Sequence, residues 1–260
     1  MCYNTYVPGM ARKVRFMKSE GKSKEDWAIS LQNMPEFYYL LGVYFGDGWI
    51  SKNNFGLKVC DIEFLEKWRR CCLIVLGRAG NISTHTHIEE HQKNWRPSFT
   101  SSVRDVNFCD YVLELTKSKT IIPDIVKQAS KECKLEFCAG FFDSEGMIAA
   151  RYDGTKAAHY SATVYNTQIF IYDIRQLFLD IDLLPKKVNI EKRRTVANNT
   201  VYNFNIKLSS MFDFPIIISR KKERLDRYKI LHKNRNVYRN ITRDSKGRIV
   251  TTTVRCDSSI

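Results

Sequence analysis

The chain has 260 residues, 43% of them hydrophobic and 12% aromatic, which is enough for one large core or two of ordinary size. Its formal net charge is +14, from 42 Lys plus Arg against 28 Asp plus Glu. No apolar run reaches the roughly 18 residues of a membrane span, and no continuous apolar core of a secretory signal opens the chain. Eight scattered cysteines without a C-x-x-C pair speak against a disulfide or zinc framework and for a reducing intracellular compartment, in bacterial or phage-infected cytoplasm or an organelle matrix.

Residues 1–34 read as an N-terminal extension, with a helix from Ala11, a turn at Gly21 and a second short helix to Leu31. Met34-Pro35 breaks the chain, and Glu36 starts an apolar helix. Beyond Gly48, alternation around Asn53-Asn54 predicts two short strands. Asp61 to Leu76 carries Ile62, Leu65, Trp68, Cys72 and Leu76 at helical spacing and stops at Gly77. Asn81 to His87 and Pro97 to Asp105 read as a second strand pair, Asn107 to Leu115 as a helix, and Ile121-Ile122-Pro123 leads into another ending near Cys133.

The second half repeats that order. Strands are expected at Met147 to Arg151 and Tyr160 to Tyr165, a helix at Ile171 to Leu179 closed by Asp182-Leu-Leu-Pro, and strands at Val188 to Lys192 and Val201 to Leu208. Met211 to Ile218 and the lysine-rich stretch after it predict the last helices. This is an internal duplication of about 100 residues, with repeats at 35–133 and 134–231 and a basic tail at 232–260. The tail region concentrates the charge: residues 186–260 hold 19 Lys plus Arg against 6 Asp plus Glu, with aromatics interleaved, a pattern suited to phosphates.

Each repeat opens on a nonapeptide, Leu40-Leu-Gly-Val-Tyr-Phe-Gly-Asp-Gly48 and Cys138-Ala-Gly-Phe-Phe-Asp-Ser-Glu-Gly146. Small residues stand four apart, Gly42 with Gly46 and Gly140 with Ser144, so each pair shares a helix face on which a second backbone can come close. Gly48 and Gly146 suit the left-handed position past a helix end, which would put Asp47 and Glu145 in the last turn, where the macrodipole disfavours anions. Two acids repeated at an unfavourable place suggest a hard cation held by oxygen ligands.

These stretches resemble the LAGLIDADG motif, and the chain is similar to single-chain homing endonucleases of that family. The second copy matches closely through Ala139, Gly140, Asp143, Glu145 and Gly146; the first carries Phe45 where an acid is frequent. The resemblance implies an α+β fold of tandem αββαββα repeats with pseudo-twofold symmetry. Two antiparallel four-stranded sheets would form a DNA-binding saddle, with the motif helices packed at the centre. It implies a monomer that makes Mg²⁺-dependent double-strand breaks in a long DNA target, cutting across the minor groove to leave short 3′ overhangs. Mn²⁺ is expected to substitute, and Ca²⁺ to bind without supporting cleavage. Asp47 and Glu145 are the metal ligands so implied, with the carbonyls of Gly46 and Ser144 as further oxygen donors.

Basic residues should surround such a site, because the transition state gains negative charge. Lys119 and Lys221 are the preferred pair, matching a peripheral lysine in each half of the family, although counting does not separate Lys221 from Lys222, and Lys207 and Arg104 near the strand ends are further candidates. Alternating strand residues can reach base edges in the major groove. The candidates are Lys52, Asn54, Lys58, His85, His87, Arg96 and Ser98, then Arg151, Tyr152, Lys156, Asn189, Glu191, Arg193 and Asn203. His85, His87 and His91 fit a polar DNA-facing hairpin better than a zinc triad. Two other roles stay open: an RNA maturase acting on an intron, and a DNA-binding regulator without cleavage.

Overall fold

The computed structural model describes residues 24–86, 96–152, 158–192, 200–238, 242–243 and 249–250. The predicted helix from Ala11, its Gly21 turn, and His87, His91, Lys156 and Arg193 lie outside the described residues. After α1 (Lys24–Leu31), the first half runs α2 (Pro35–Phe45), β1 (Trp49–Ser51), β2 (Asn54–Val59), α3 (Ile62–Leu76), β3 (Ser83–His85), β4 (Ser98–Arg104) and α4 (Val106–Thr116). A short α5 (Asp124–Lys127) leads to the second half: α6 (Lys131–Glu145), β5 (Gly146–Tyr152), β6 (Ala158–Asn166), α7 (Ile171–Asp180), β7 (Asn189–Lys192), β8 (Thr200–Ile206) and α8 (Ser219–Tyr238). A two-stranded pair, β9 (Thr242–Arg243) and β10 (Ile249–Val250), follows.

The local signals act where the sequence puts them. Pro35 occupies the first turn of α2, where its missing N–H is no loss. Gly77, at φ 67°, ends α3 in the left-handed conformation, and Asp182, at φ 64°, follows the Ile181 cap of α7. Asp105 caps α4 by accepting from Phe108 N at 3.0 Å, and Ser130 caps α6 by accepting from Cys133 N at 3.3 Å.

Three expectations are corrected. The segment after Pro123 is not one helix to Cys133: α5 ends at Lys127, and the Ser130 cap starts α6 at Lys131, so Cys133 already belongs to the motif helix. Met211 to Ile218 is not helical; a 3-10 turn at Leu208–Met211 gives way to irregular chain around Pro215, and α8 begins only at Ser219. The first hairpin turns at Lys52 and Asn53, both at positive φ, so Asn54 is the first residue of β2.

The two sheets have matching strand orders, β1-β2-β4-β3 and β5-β6-β8-β7, antiparallel throughout. One face of each carries the core. Phe55 packs on Trp68 of α3 and Phe108 of α4, and Phe204 packs on Phe178 of α7. The opposite face follows by alternation. In the first sheet it takes Asn54, Gly56 and Lys58 with their register partners Arg104, Ser102 and Thr100, and Ser83, His85 and Ser98 beside them. In the second it takes Met147, Ala149, Thr163, Asn189, Glu191, Asn203 and Asn205. The fold is therefore the tandem αββαββα arrangement that the duplication predicts.

Between the sheets, α2 and α6 cross at close range. Every residue of α2 from Phe37 to Phe45 is buried, the mark of a helix enclosed on all sides. A Cβ on Gly42 would lie 2.1 Å from the Phe137 carbonyl oxygen, and one on Gly140 would lie 2.4 Å from that of Tyr39. One turn further, a Cβ on Gly46 would meet the Ser144 Cβ at 2.2 Å. The small faces pack against each other, as their four-residue spacing predicts.

Candidate functional site

The two helices end where their small faces bring the chains together, and this sets the site. Gly48 and Gly146 are not left-handed, contrary to expectation: among the described residues only Gly77 is a glycine at positive φ, and Gly146 is extended (φ −82°, ψ 146°). Glycine is needed at both for space, since a Cβ would meet Tyr44 Cα at 2.9 Å in the first copy and the Phe142 carbonyl oxygen at 2.5 Å in the second. The strand therefore leaves each helix folded back against its last turn. Glu145 is the last residue of α6, whereas Asp47 lies just beyond the end of α2 at Phe45.

Asp47 remains open to solvent and Glu145 is half-buried, yet the surrounding protein weakens the hydration of both carboxylates. Loss of hydration raises the Asp47 pKa, partly offset by the charges of Lys221 and Lys119. Glu145 is pushed up to about 7, first by loss of hydration and then by the negative charge of Asp47. The charge of Asp47 in the first copy thus reaches Glu145 in the second.

Lys119 and Lys221 close the site from opposite halves. Lys119 Nζ donates to the carbonyls of Gly46 at 3.1 Å and Gly48 at 2.6 Å, on either side of Asp47. Lys221 Nζ donates to the carbonyls of Phe142 and Asp143, both at 2.7 Å. Each ammonium also lies over the aromatic ring at the fifth motif position, Tyr44 at 4.7 Å and Phe142 at 5.3 Å. Burial lowers both amines, Lys221 to about 8. Of the four basic residues singled out in the sequence, the fold brings these two to the acids. Arg104 ends β4 opposite Asn54, beside the hairpin turn, and Lys207 follows β8 instead of ending it; both are exposed.

Asp143 is the residue whose part the sequence does not disclose. It is 2% exposed, accepts from Tyr39 Oη at 3.0 Å, and accepts from Ile217 N at 3.4 Å. Burial raises its pKa to about 6, opposed first by the charge of Lys221. Its partner Tyr39 lies in the other motif helix, so Asp143 joins the two halves directly beneath the acids. Phe45 holds the corresponding place in the first copy, and that departure from the acidic pattern is the one signal that could have exposed the asymmetry.

The sheet-face candidates divide by alternation. Lys58 and His85 are exposed on the face away from the helices, and Asn54 shares it, its side chain donating to the Lys52 carbonyl at 3.2 Å. Ser98 has the same parity but is 5% exposed, and Arg96 lies 3.9 Å from the Asp61 carboxylate. Lys52 sits in the hairpin turn. In the second sheet, Asn203 donates to Glu191 at 2.8 Å and accepts from Asn189 at 3.5 Å, forming one polar ladder. By register, Arg151 falls in step with Ala149, and Tyr152 with the core position Ile148.

Among the described residues no group of three or more His, Cys, Asp or Glu gathers to hold a metal. Two carboxylates still fit Mg²⁺, which commonly takes one or two acids and fills its shell with water and substrate phosphate. Asp47 and Glu145 could hold it, since their mutual repulsion is what a divalent cation would relieve. The Gly46 carbonyl oxygen already accepts from Lys119 and would have to share that oxygen. No described helix is long and apolar enough to cross a membrane.

No family model matches the chain. It is 27% identical over 213 residues to a probable translation initiation factor IF-2 of Methanocaldococcus jannaschii, across 79% of this chain and 17% of that protein. The chain thus spans about a sixth of that relative's length. It is 26% identical over 231 residues to an uncharacterised protein of the same organism, across 76% and 73% of the two chains. Similar solved structures include the homing endonuclease I-WcaI bound to its DNA recognition sequence (TM-score 0.47, 14% identity, 82% of this chain and 97% of that one). Mesophilic variants of the homing endonuclease I-DmoI (TM-score 0.43, 13% identity, 71% and 87%) and the N-terminal LAGLIDADG domain of DUF199/WhiA (0.42, 13%, 74% and 88%) are also similar. At these scores the likeness carries no argument about activity.

Proposed function

We propose that the chain is a site-specific DNA endonuclease that hydrolyses both strands of a long duplex with Mg²⁺. One observation carries this reading: an acid from each repeat, Asp47 and Glu145, stands at the foot of the crossed helices, where a Cβ on Gly46 would lie 3.3 Å from Glu145 Cγ, and an ammonium from each half lies beside them. Bound there, Mg²⁺ would polarise a phosphoryl oxygen and lower the pKa of an attacking water.

The chain's own residues supply the rest. Asp47 and Glu145 hold the cation and, related by pseudo-twofold symmetry, address one strand each. Lys119 and Lys221 set positive charge where the pentacovalent phosphorus gains negative charge. Their amines are already fixed by two carbonyls apiece, so little reorganisation accompanies the reaction. The polar sheet faces read the duplex, with Lys58 and His85 in the first half and the Asn189, Glu191 and Asn203 ladder in the second. Cleavage across the minor groove would leave short 3′ overhangs, and one chain suffices because it contains both halves.

The test is cleavage of a randomised long-duplex library with Mg²⁺, with Mn²⁺ and with Ca²⁺, against the Asp47→Asn, Glu145→Gln double variant. Sequence-restricted double-strand breaks that need Mg²⁺ or Mn²⁺ and vanish in the variant are expected. Tight, specific binding without breaks under any metal would replace this reading with a DNA-binding regulator or an intron maturase.

A further inference from the structure

Helix α8 begins Ser219-Arg220-Lys221-Lys222, three consecutive cations at the helix end that the macrodipole already makes positive. A start so unfavourable locally is held by acids from elsewhere. Glu63 Oε1 accepts from Ser219 N at 2.8 Å. Asp61 takes Arg220 in a forked pair, from Nε at 2.9 Å and from Nη2 at 2.7 Å. Asp61 immediately precedes α3 and Glu63 lies in its first turn, both in the first half, whereas α8 belongs to the second. Asp61 stands at the capping place of α3, yet its side chain makes no capping bond there, unlike Asp105 at the head of α4. Its carboxylate instead holds Arg220 across the halves, with Arg96 of its own half farther away at 3.9 Å.

Lys119 is held differently. It ends a run of three non-glycine residues at positive φ, Lys117, Ser118 and Lys119. Its backbone N–H donates to Thr116 and its amine to the Gly46 and Gly48 carbonyls, all within its own half. The two ammonium groups beside the acids are therefore mounted on unequal supports.

We infer that Asp61 is a positioning residue for Lys221: gripping Arg220 across the halves, it fixes the first turn of α8 and so the ammonium at the site. Its consequence for catalysis rests on the endonuclease reading. Loss of Asp61 would disable the Lys221 amine and leave the Lys119 amine in place, so one strand would be cut slowly and the other normally.

The primary measurement does not depend on cleavage. The full chain is treated briefly with N-hydroxysuccinimidyl acetate, and acetylation of Lys221 and Lys119 is followed by mass spectrometry. Lys221 is 2% exposed and reacts only when its carbonyl bonds open. Asp61→Asn should raise its labelling about tenfold, the scale of a lost forked charge pair, with Lys119 within twofold of the original chain. Arg220→Gln, which removes the other partner, should do the same. The exchanged pair Asp61→Arg with Arg220→Asp should restore slow labelling. Unchanged Lys221 labelling in both single variants, an equal rise at Lys119, or no restoration in the exchanged pair would each overturn the assignment. On a duplex recovered from the library, Asp61→Asn should accumulate nicked product, with one strand slowed about tenfold. If the original chain cuts nothing, the endonuclease reading fails while the labelling still decides the role of Asp61.

Discussion

Replacing Gly42 with alanine tests whether the two motif helices touch backbone to backbone. The added Cβ would stand 2.1 Å from the Phe137 carbonyl oxygen and 2.9 Å from Phe141 N. A carbon rests against a carbonyl oxygen at about 3.3 Å, so the helices would have to part by about 1 Å at that rung. Both obstructing atoms belong to the backbone of a helix, and no side-chain rotation relieves them. Overpacking a well-filled core costs about 1–3 kcal/mol when side chains can yield. Here they cannot, and a net loss of about 3 kcal/mol remains after the gain of about 1 kcal/mol from alanine's helix propensity. For a chain of this size that lowers Tm by about 6–12 °C. Gly77→Ala is the control: its φ of 67° strains any other residue, but a Cβ there meets nothing within 4 Å, so about 1 kcal/mol is expected. Thermal unfolding of both variants in the same buffer decides the matter. If Gly42→Ala costs no more than Gly77→Ala, the helices have slack between them and the tight crossing is wrong.

Three further outcomes follow from the site. Glu145 keeps its proton up to about pH 7 in the folded chain but loses it near 4.5 when unfolded, so the folded state loses stability as pH rises through that window. Glu145→Gln removes the ionisation, and its Tm should fall less between those pH values than that of the original chain; parallel slopes by scanning calorimetry would contradict the raised pKa that lost hydration, and then the charge of Asp47, give Glu145. Millimolar Ca²⁺ should raise Tm in the original chain and leave the Asp47→Asn, Glu145→Gln variant unchanged, because only the native pair has repulsion to relieve. An equal rise in both would put the cation elsewhere. Lys58→Ala, on the exposed sheet face, should weaken duplex binding and reduce the slope of log affinity against log salt by about 1, and an unchanged slope would remove that face from the DNA contact.

Much of the architecture is legible in the sequence, because its signals are local. The four-residue spacing of Gly42 with Gly46 and Gly140 with Ser144 is a statement about one helix face, and those faces meet in the crossing of α2 and α6. Gly77 closes α3 and Asp182 follows the Ile181 cap of α7 because left-handed positions depend on the residue itself. The readings that fail have two sources: local stop and start signals at Pro215 and Ser130, and places where the tertiary fold overrides local preference. Gly48 and Gly146 were expected to be left-handed; they are glycine because the strand doubles back on its own helix, which a dihedral rule cannot foresee. Met211 to Ile218 has enough apolar residues for a helix, but Pro215 breaks the run, and the irregular chain after it presents Ile217 N to Asp143.

The sequence by itself determined the duplication, the two acids 98 positions apart and the order of elements, since each is written in residue type and periodicity along one chain. Only the tertiary structure decided which of many cations stand beside those acids. It also decided that Asp143 is buried between Tyr39 and Ile217, and that Asp61 reaches 159 positions along the chain to Arg220. Such pairings depend on where separate elements cross, and a linear pattern carries no information about that crossing beyond the faces it makes available.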